Sequence, residues 1–301
     1  MQGNTLIVIT GPTGVGKTAV AIELAQHLGC DIINADSRQV FKGIPIGTAA
    51  PTPQEQALVR HHFVQFKELD DYYSAAQFES DVMALLPQLW AQGKWAVMCG
   101  GSMMYVDAVC RGIDIIPDIS DEVRSAVKKV WHEQGLEPLL AELQRLDPEY
   151  YSIVDKKNHV RVIHAIEVCR QTGVTYTSLR TGCVKERPFN IIKIGLNIDR
   201  PALFDRINHR VDLMLEAGLE EEARSVYHLR HLNSLNTVGY KEMFAYFDGT
   251  MDFVTARERI KKNTRVYAKK QLTWLQRDTS INWCSPGNCL TTFFELIGQK
   301  K

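Results

Sequence analysis

Runs of consecutive apolar residues alternate along the chain with segments whose apolar positions recur every three to four residues. The runs are Thr5 to Thr10, Asp31 to Asp36, Trp95 to Cys99, Ile191 to Asn197 and Ile281 to Cys284. A β-branched run such as TLIVIT, without polar alternation, fits a strand covered on both faces. Between the runs, the segment Lys17 to Leu28 sets Val20, Leu24, Ala25 and Leu28 on one side of a helix, as a helix lying on a sheet requires. Strands alternating with helices predict an α/β fold, a parallel sheet with helices on both faces.

The alternation breaks once. Between GGSMMYVDAVCRG (100–112) and the run at Ile191 the apolar period is helical, as in VRSAVKKVWHEQGLEPLLAELQRL and HVRVIHAIEVCRQTG. PDISDEV suits a helix start near Ser120, and RTGCVKERPFN reads as a return linker. The pattern predicts an all-α domain over residues 118–188, inserted into a core built from residues 1–117 and 189–301.

Composition adds little to this picture. The 301 residues are 45% hydrophobic and 23% charged, as in an ordinary globular protein. Formal net charge is zero, so any hold on a polyanion has to come from local clustering. Seven scattered cysteines (Cys30, Cys99, Cys110, Cys169, Cys183, Cys284 and Cys289) show no metal-ligand spacing, which predicts reduced thiols in a cytoplasmic protein. The start, MQGNTLIVITGPTG, has no basic leader, and no stretch approaches the roughly 18 apolar residues of a membrane span.

The chemistry begins at GPTGVGKT (11–18). Gly11, four residues, Gly16, Lys17 and Thr18 match the P-loop pattern, and they lie after a strand and before a helix, the context that gives the pattern meaning. Glycines let the backbone wrap an anion, the helix start adds its dipole, Lys17 supplies a cation, and Thr18 offers a hydroxyl to Mg²⁺. Gly14-x-Gly16-x-x-Ala19, with Asp36 some way on, also fits a loose dinucleotide fingerprint. Lys17 argues against that reading, because it would crowd the close helix approach of that fold.

Asp36 ends the run DIINAD and opens DSRQVFKGIPIGTA, which has no regular period. Its side chain is expected at the carboxyl end of the sheet beside the P-loop, ordering a magnesium ion, holding an acceptor nucleophile, or capping a turn. Far downstream, residues 257–277 carry eight Lys or Arg and one acid, Glu258. On a helix, Arg259, Lys262, Arg265, Lys269, Lys270 and Arg277 fall on one side, opposite Ile260, Tyr267, Gln271, Trp274 and Leu275. The basic face suits a phosphate backbone, while Tyr267 and Trp274 read as core anchors. His61 and His62, ahead of the strand-like FVQF, read as surface or structural residues, and Asp70 and Asp71 as caps of the following helix.

Together, GPTGVGKT, NADSRQVFKGIPIGTA, YYSAAQF (72–78), CGGSMMYVDA (99–108), TVGYKE (237–242) and YAKKQLTWLQRD (267–278) resemble the bacterial tRNA dimethylallyltransferases, in the family's order and from about residue 5 to 284. The resemblance implies transfer of a dimethylallyl group from dimethylallyl diphosphate to the exocyclic amine of the adenine just 3′ of the tRNA anticodon, releasing pyrophosphate. It implies a diphosphate site at Gly11, Pro12, Thr13, Gly14, Val15, Gly16, Lys17 and Thr18, with Arg210 added, Mg²⁺ on Thr18, and Asp36 as the catalytic carboxylate. An ionised carboxylate only accepts hydrogen bonds, so Asp36 could orient the amine and take its proton.

The target base has to leave its stack, so further contacts must hold the anticodon stem-loop open. The resemblance implies them at Asp36, Ser37, Arg38 and Gln39, at Ser102 and Arg124, and at Val160, Arg161, Val162, Ile163 and His164. It adds Asn236, Thr237, Val238, Gly239, Tyr240 and Lys241, and Lys269, Lys270, Gln271, Leu272, Thr273, Trp274, Leu275 and Gln276. Ser102 stands where the family usually has threonine and keeps the hydroxyl. A monomer without a membrane or an obligate protein partner is expected. The competing readings are the same chemistry on free adenine nucleotides, a P-loop kinase, and an ATP-hydrolysing RNA-binding module.

Overall fold

The computed structural model describes residues 3–114, 116–182 and 184–298, so Cys183 lies outside it. The chain separates into two compact units, Met1–Arg111 with Glu186–Lys301, and Gly112–Lys185. The first unit begins with β1 (Thr5–Thr10), α1 (Lys17–Leu28), β2 (Ile32–Asn34), α2 (Pro45–Thr48), α3 (Pro53–Leu58), β3 (His61–His62), α4 (Ala75–Trp90), β4 (Trp95–Cys99) and α5 (Met103–Arg111). The second holds α6 (Asp121–Gln134), α7 (Glu137–Leu146), α8 (Pro148–Ile153), α9 (His159–Thr172) and α10 (Tyr176–Leu179). The first unit then resumes with β5 (Asn190–Leu196), α11 (Arg200–Glu216), α12 (Leu219–Ser225), α13 (Tyr240–Phe247), α14 (Phe253–Leu275), β6 (Ile281–Cys284) and α15 (Cys289–Leu296).

The six strands form one parallel sheet in the order β3-β2-β4-β1-β5-β6. Side chains alternate across it: Leu6 and Val8 join one core with Ile33, Met98, Phe78 and Val109, while Ile7 and Ile9 join the other with Val97, Ile194, Leu24 and Phe293. Both faces are covered, which is why these strands read as continuous apolar runs. The order matters for the site: β4 lies between β1 and β2, so the loop leaving β4 sits between the P-loop and the loop that carries Asp36.

Several local expectations are corrected. The second strand is only Ile32–Asn34, and FVQF is not a strand; β3 is His61–His62, after which Phe63 (φ 62°) and Gln65 (φ 48°) turn the chain through left-handed backbone. His62 Nε2 meets Asp31 Oδ2 at 2.8 Å, a structural contact between neighbouring strands. Asp70 and Asp71 do not cap α4. Ser74 does, in a capping box with Gln77, because a cap must directly precede the first helical turn; Asp71 instead accepts from the Glu68 N–H at 2.8 Å.

The helical unit has its own core, with Val127, Leu139, Leu143, Val162 and Ile166 buried together. Its start at Ser120 caps α6, as expected. Its limits, 112–185, differ from 118–188 for a physical reason. Asp114 accepts from Thr181 Oγ1 (2.7 Å) and Gly182 N (3.1 Å), so entry and exit segments pair with each other. Arg187 is instead fixed to the core by Glu79 (2.6 Å) and the carbonyls of Ala108 and Val109.

Candidate functional site

At the P-loop, Gly16 caps α1 at φ 99°, a left-handed conformation that any side chain would strain. Lys17 folds back and donates to the carbonyls of Gly11 (3.1 Å) and Pro12 (3.0 Å). Burial lowers its pKa from 10.5 to about 8, with Arg210 adding to the fall and Asp36 opposing it. Not every residue of the loop can hold an anion. Pro12 has no N–H, Val15 donates to Pro12 O and buries its side chain, and the Thr13 N–H is held by Gln271 at 2.8 Å. The amides of Gly14 and Gly16, and those of Lys17 and Thr18 in the first turn of α1, have no partner among the described residues and remain as donors.

The loop after β2 carries Asp36. Its Oδ1 accepts from Arg38 N (2.9 Å) and Gln39 N (3.4 Å), and its other oxygen has no protein partner among the described residues. The side chains around it brace the loop. Ser102 Oγ accepts from Ser37 N (2.7 Å), Arg38 Nη1 donates to Asn233 O (2.7 Å), and Gln39 Nε2 donates to Thr48 O and Ala49 O. Ser102 and Gln39, expected to touch RNA, therefore use their polar groups to hold Asp36 in place.

Thr13, Gly14, Asp36 and Arg210 share a cavity of about 480 Å³. Arg210 makes no hydrogen bond or ion pair among the described residues, and burial lowers its pKa, with Asp36 and Glu55 opposing. An unpartnered, desolvated guanidinium facing a P-loop is a site made for an anion. One wall is apolar, built from Ile207, Val211 and Met214 on successive turns of α11 with Leu219 and Ile260. The rest of the lining is mostly polar and includes Asn236, Thr237, Gly239, Lys241, Glu242 and Asn263, with Val238 among them. Tyr240, expected among the RNA contacts, is fully buried and donates to Glu222, which also accepts from Ile46 N and Gly47 N. Glu222 and Met214 carried no signal in the sequence, because no motif contains them and only chain packing brings them here; Glu242 closes the TVGYKE segment.

The late basic segment is α14. Its buried stripe is Ala256, Ile260, Lys261, Ala268, Gln271 and Leu275. Tyr267 (40% exposed) and Trp274 (37%) lie off that stripe, so the core-anchor reading of both is corrected. Trp274 donates its indole N–H to Asp107 and, with Lys269, Lys270, Thr273 and Arg277, lines an open groove. Gln276 is exposed, whereas Leu272 is partly buried and Leu275 and Gln271 are buried, so these last three do not offer side chains to RNA. Arg257 and Lys261 both pair with Asp212, at 2.6 and 2.9 Å, and belong to the fold.

In the helical unit, Val160 and Arg161 are exposed at the start of α9, while Val162 and Ile163 face the core and do not reach a ligand. Burial, with Arg124 nearby, lowers the pKa of His164, so it stays neutral at physiological pH.

No group of three His, Cys, Asp or Glu able to hold a metal exists among the described residues. Thr18 Oγ1 has no hydrogen-bond partner there and stands at the P-loop. One hydroxyl and one nearby carboxylate suit Mg²⁺, which takes most of its ligands from phosphate and water. No helix of the described residues is long and apolar enough to cross a membrane.

A family model described as IPP transferase matches residues 39–278. The chain is 54% identical over 296 residues to tRNA dimethylallyltransferase 2 of Parabacteroides distasonis, covering 98% of this chain and 99% of that one. It is 56% identical to tRNA dimethylallyltransferase 1 of Phocaeicola vulgatus, covering 94% of each. Among solved structures, the full-length tRNA isopentenylpyrophosphate transferase of Bacillus halodurans superposes with a TM-score of 0.72 at 32% identity, covering 98% of this chain and 96% of that one. A eukaryotic dimethylallyltransferase acting on tRNA has a TM-score of 0.79 at 24% identity over 94% of this chain and 74% of that one, a likeness of fold.

Proposed function

The chain belongs to the IPP transferase family, and from that membership we propose that it transfers the dimethylallyl group of dimethylallyl diphosphate to N6 of the adenine 3′ of the anticodon in tRNA. The observation that carries the reading is Arg210, without a hydrogen-bond or ion-pair partner among the described residues, in one cavity with Thr13, Gly14 and Asp36 and beside the apolar Ile207, Val211 and Met214 of its own helix. A loop that needed only ATP would not require this apolar lining beside the guanidinium.

The allylic C–O bond breaks as the C–N bond forms, and pyrophosphate leaves with the electron pair. Lys17, Arg210 and the free amides of the P-loop meet the charge that grows on the leaving group. The amine proton passes to Asp36, whose free oxygen is held at the cavity by the braced loop. Thr18, with Asp36 through water, would hold Mg²⁺, which supplies further charge neutralisation at the diphosphate. Ile207, Val211 and Met214 receive the five-carbon tail. The exposed cations and Trp274 on α14 take the RNA, and within the helical unit the exposed Val160 and Arg161 are further RNA contacts.

The test is incorporation of labelled dimethylallyl diphosphate into tRNA, run against AMP and beside an ATP-turnover control. Label in AMP, or ATP turnover without label in tRNA, would overturn the proposal. Within it, Asp36→Ala is expected to lower kcat by about 10²–10⁴ with tRNA affinity changed only a few-fold; near-normal turnover would remove Asp36 from its role.

A further inference from the structure

Gln271 stands in the middle of the basic segment, yet its side chain is 2% exposed and points inward. Its Oε1 accepts the Thr13 N–H at 2.8 Å, and its Nε2 donates to Gly101 O at 2.8 Å. One amide thus ties the P-loop after β1 to the loop after β4. The fit is tight: a Cβ on Gly101 would come within 2.6 Å of Nε2, so the glycine is what admits the amide.

The tie continues. Ser102, next to Gly101, holds Ser37 N, and Ser37 adjoins Asp36. A single chain of bonded groups, Thr13–Gln271–Gly101–Ser102–Ser37–Asp36, therefore connects the diphosphate loop with the carboxylate, and its only member on a helix is Gln271. The neighbouring residues Lys269 and Lys270 are exposed on the same helix. Gln271 therefore lies one and two residues along the helix from cations proposed to hold RNA, while its side chain is bonded to the loops on the inner side.

We propose that Gln271 is a positioning residue that couples RNA held on α14 to the diphosphate loop, so that bound tRNA raises the enzyme's affinity for the leaving group. This rests on the function proposed above. By linkage, the same factor must appear in reverse, with the diphosphate tightening the hold on RNA. The amide acts through Thr13 and Gly101 and touches neither substrate.

Calorimetry of magnesium pyrophosphate binding, with and without an anticodon stem-loop RNA, reads the coupling directly. The wild-type protein should bind pyrophosphate several-fold more tightly in the presence of RNA. Gln271→Met keeps the volume and loses both bonds, and is expected to bring that ratio to one, to raise KM for dimethylallyl diphosphate by about tenfold or more, and to leave RNA affinity without the diphosphate unchanged. Gln271→Glu keeps the acceptor for Thr13 but sets a second acceptor against Gly101 O. Protonation restores the donor, so its kcat/KM for the donor substrate should rise as pH falls from 7 to 5.5, a slope absent from the wild type. An unchanged ratio and KM in Gln271→Met, or an equal loss of affinity for both substrates together with lowered thermal stability and no pH-dependent recovery in Gln271→Glu, overturns the inference. If the wild type places no label in tRNA, the functional proposal fails; if it does and Gln271→Met matches it in both readouts, only the coupling fails.

Discussion

Raising the pH should loosen the enzyme's hold on its donor substrate before it affects the rest of the site. Burial brings the pKa of Lys17 down from 10.5 to about 8 in the unliganded protein. Half of the molecules then carry a neutral Lys17 at pH 8, and about nine in ten at pH 9. A diphosphate needs the charged form, so its binding must draw a proton from solvent, and affinity should fall tenfold per unit above about pH 8. The assay is KM for dimethylallyl diphosphate at saturating tRNA from pH 7 to 9.5, paired with calorimetry of magnesium pyrophosphate in buffers of different ionisation enthalpy. Proton uptake should grow from near zero at pH 7 to about one half at pH 8. Lys17→Arg should abolish the pH dependence, whatever its effect on affinity. A flat KM through pH 9 without proton uptake would refute the reasoning.

The same shift has a stability side. The folded state disfavours the charge, so the cost is present below about pH 8 and relieved as pH rises from there towards 10.5. A depression of this size corresponds to roughly 3 kcal/mol, less the two hydrogen bonds Lys17 makes to Gly11 and Pro12. Lys17→Met should therefore raise the melting temperature of the unliganded protein at pH 7, with the gain fading towards pH 10, while donor binding is lost.

Three further outcomes can be checked. Arg210→Ala should raise donor KM by about 10–100-fold and, by removing a like charge beside Lys17, move the midpoint of the KM–pH curve upward. Lys269→Ala combined with Arg277→Ala should reduce the slope of log tRNA affinity against log salt by about 1–2, read by filter binding, with donor KM held at saturating tRNA. Arg210 and Met214 are four residues apart on α11, about 6 Å, which is the length of a five-carbon chain but not of a ten-carbon one. Met214→Ala should therefore shift the kcat/KM ratio towards geranyl diphosphate by on the order of 10–100-fold, measured by label in tRNA.

What could be read from sequence has a local cause. The strands at Thr5–Thr10, Trp95–Cys99 and Ile281–Cys284 are uninterrupted apolar runs, the extent of α1 follows from its period, and the P-loop is contiguous in the chain. Each of these depends on neighbours a few residues away. Local pattern misleads where a tertiary partner overrides it. Tyr267 and Trp274 lie on the apolar side of a helical wheel, yet the surface they would cover is filled from the stripe Ala268, Gln271 and Leu275. Gln271 looks like part of a basic, RNA-facing run because its partners, Thr13 and Gly101, lie 258 and 170 residues away.

The sequence by itself determined a parallel α/β core, a helical insertion, an anion loop, and the carboxylate and cations available to use it. Only the tertiary structure decided that β4 would come between β1 and β2, which sets the Gly101–Ser102 turn between the P-loop and Asp36. It alone left Arg210 without a partner among the described residues and set Ile207, Val211 and Met214 beside it in the same cavity. The reason is physical: hydrophobic periodicity specifies which face of an element is buried, but which buried faces meet is settled by packing, and the polar groups of a site are placed by whatever packing leaves open.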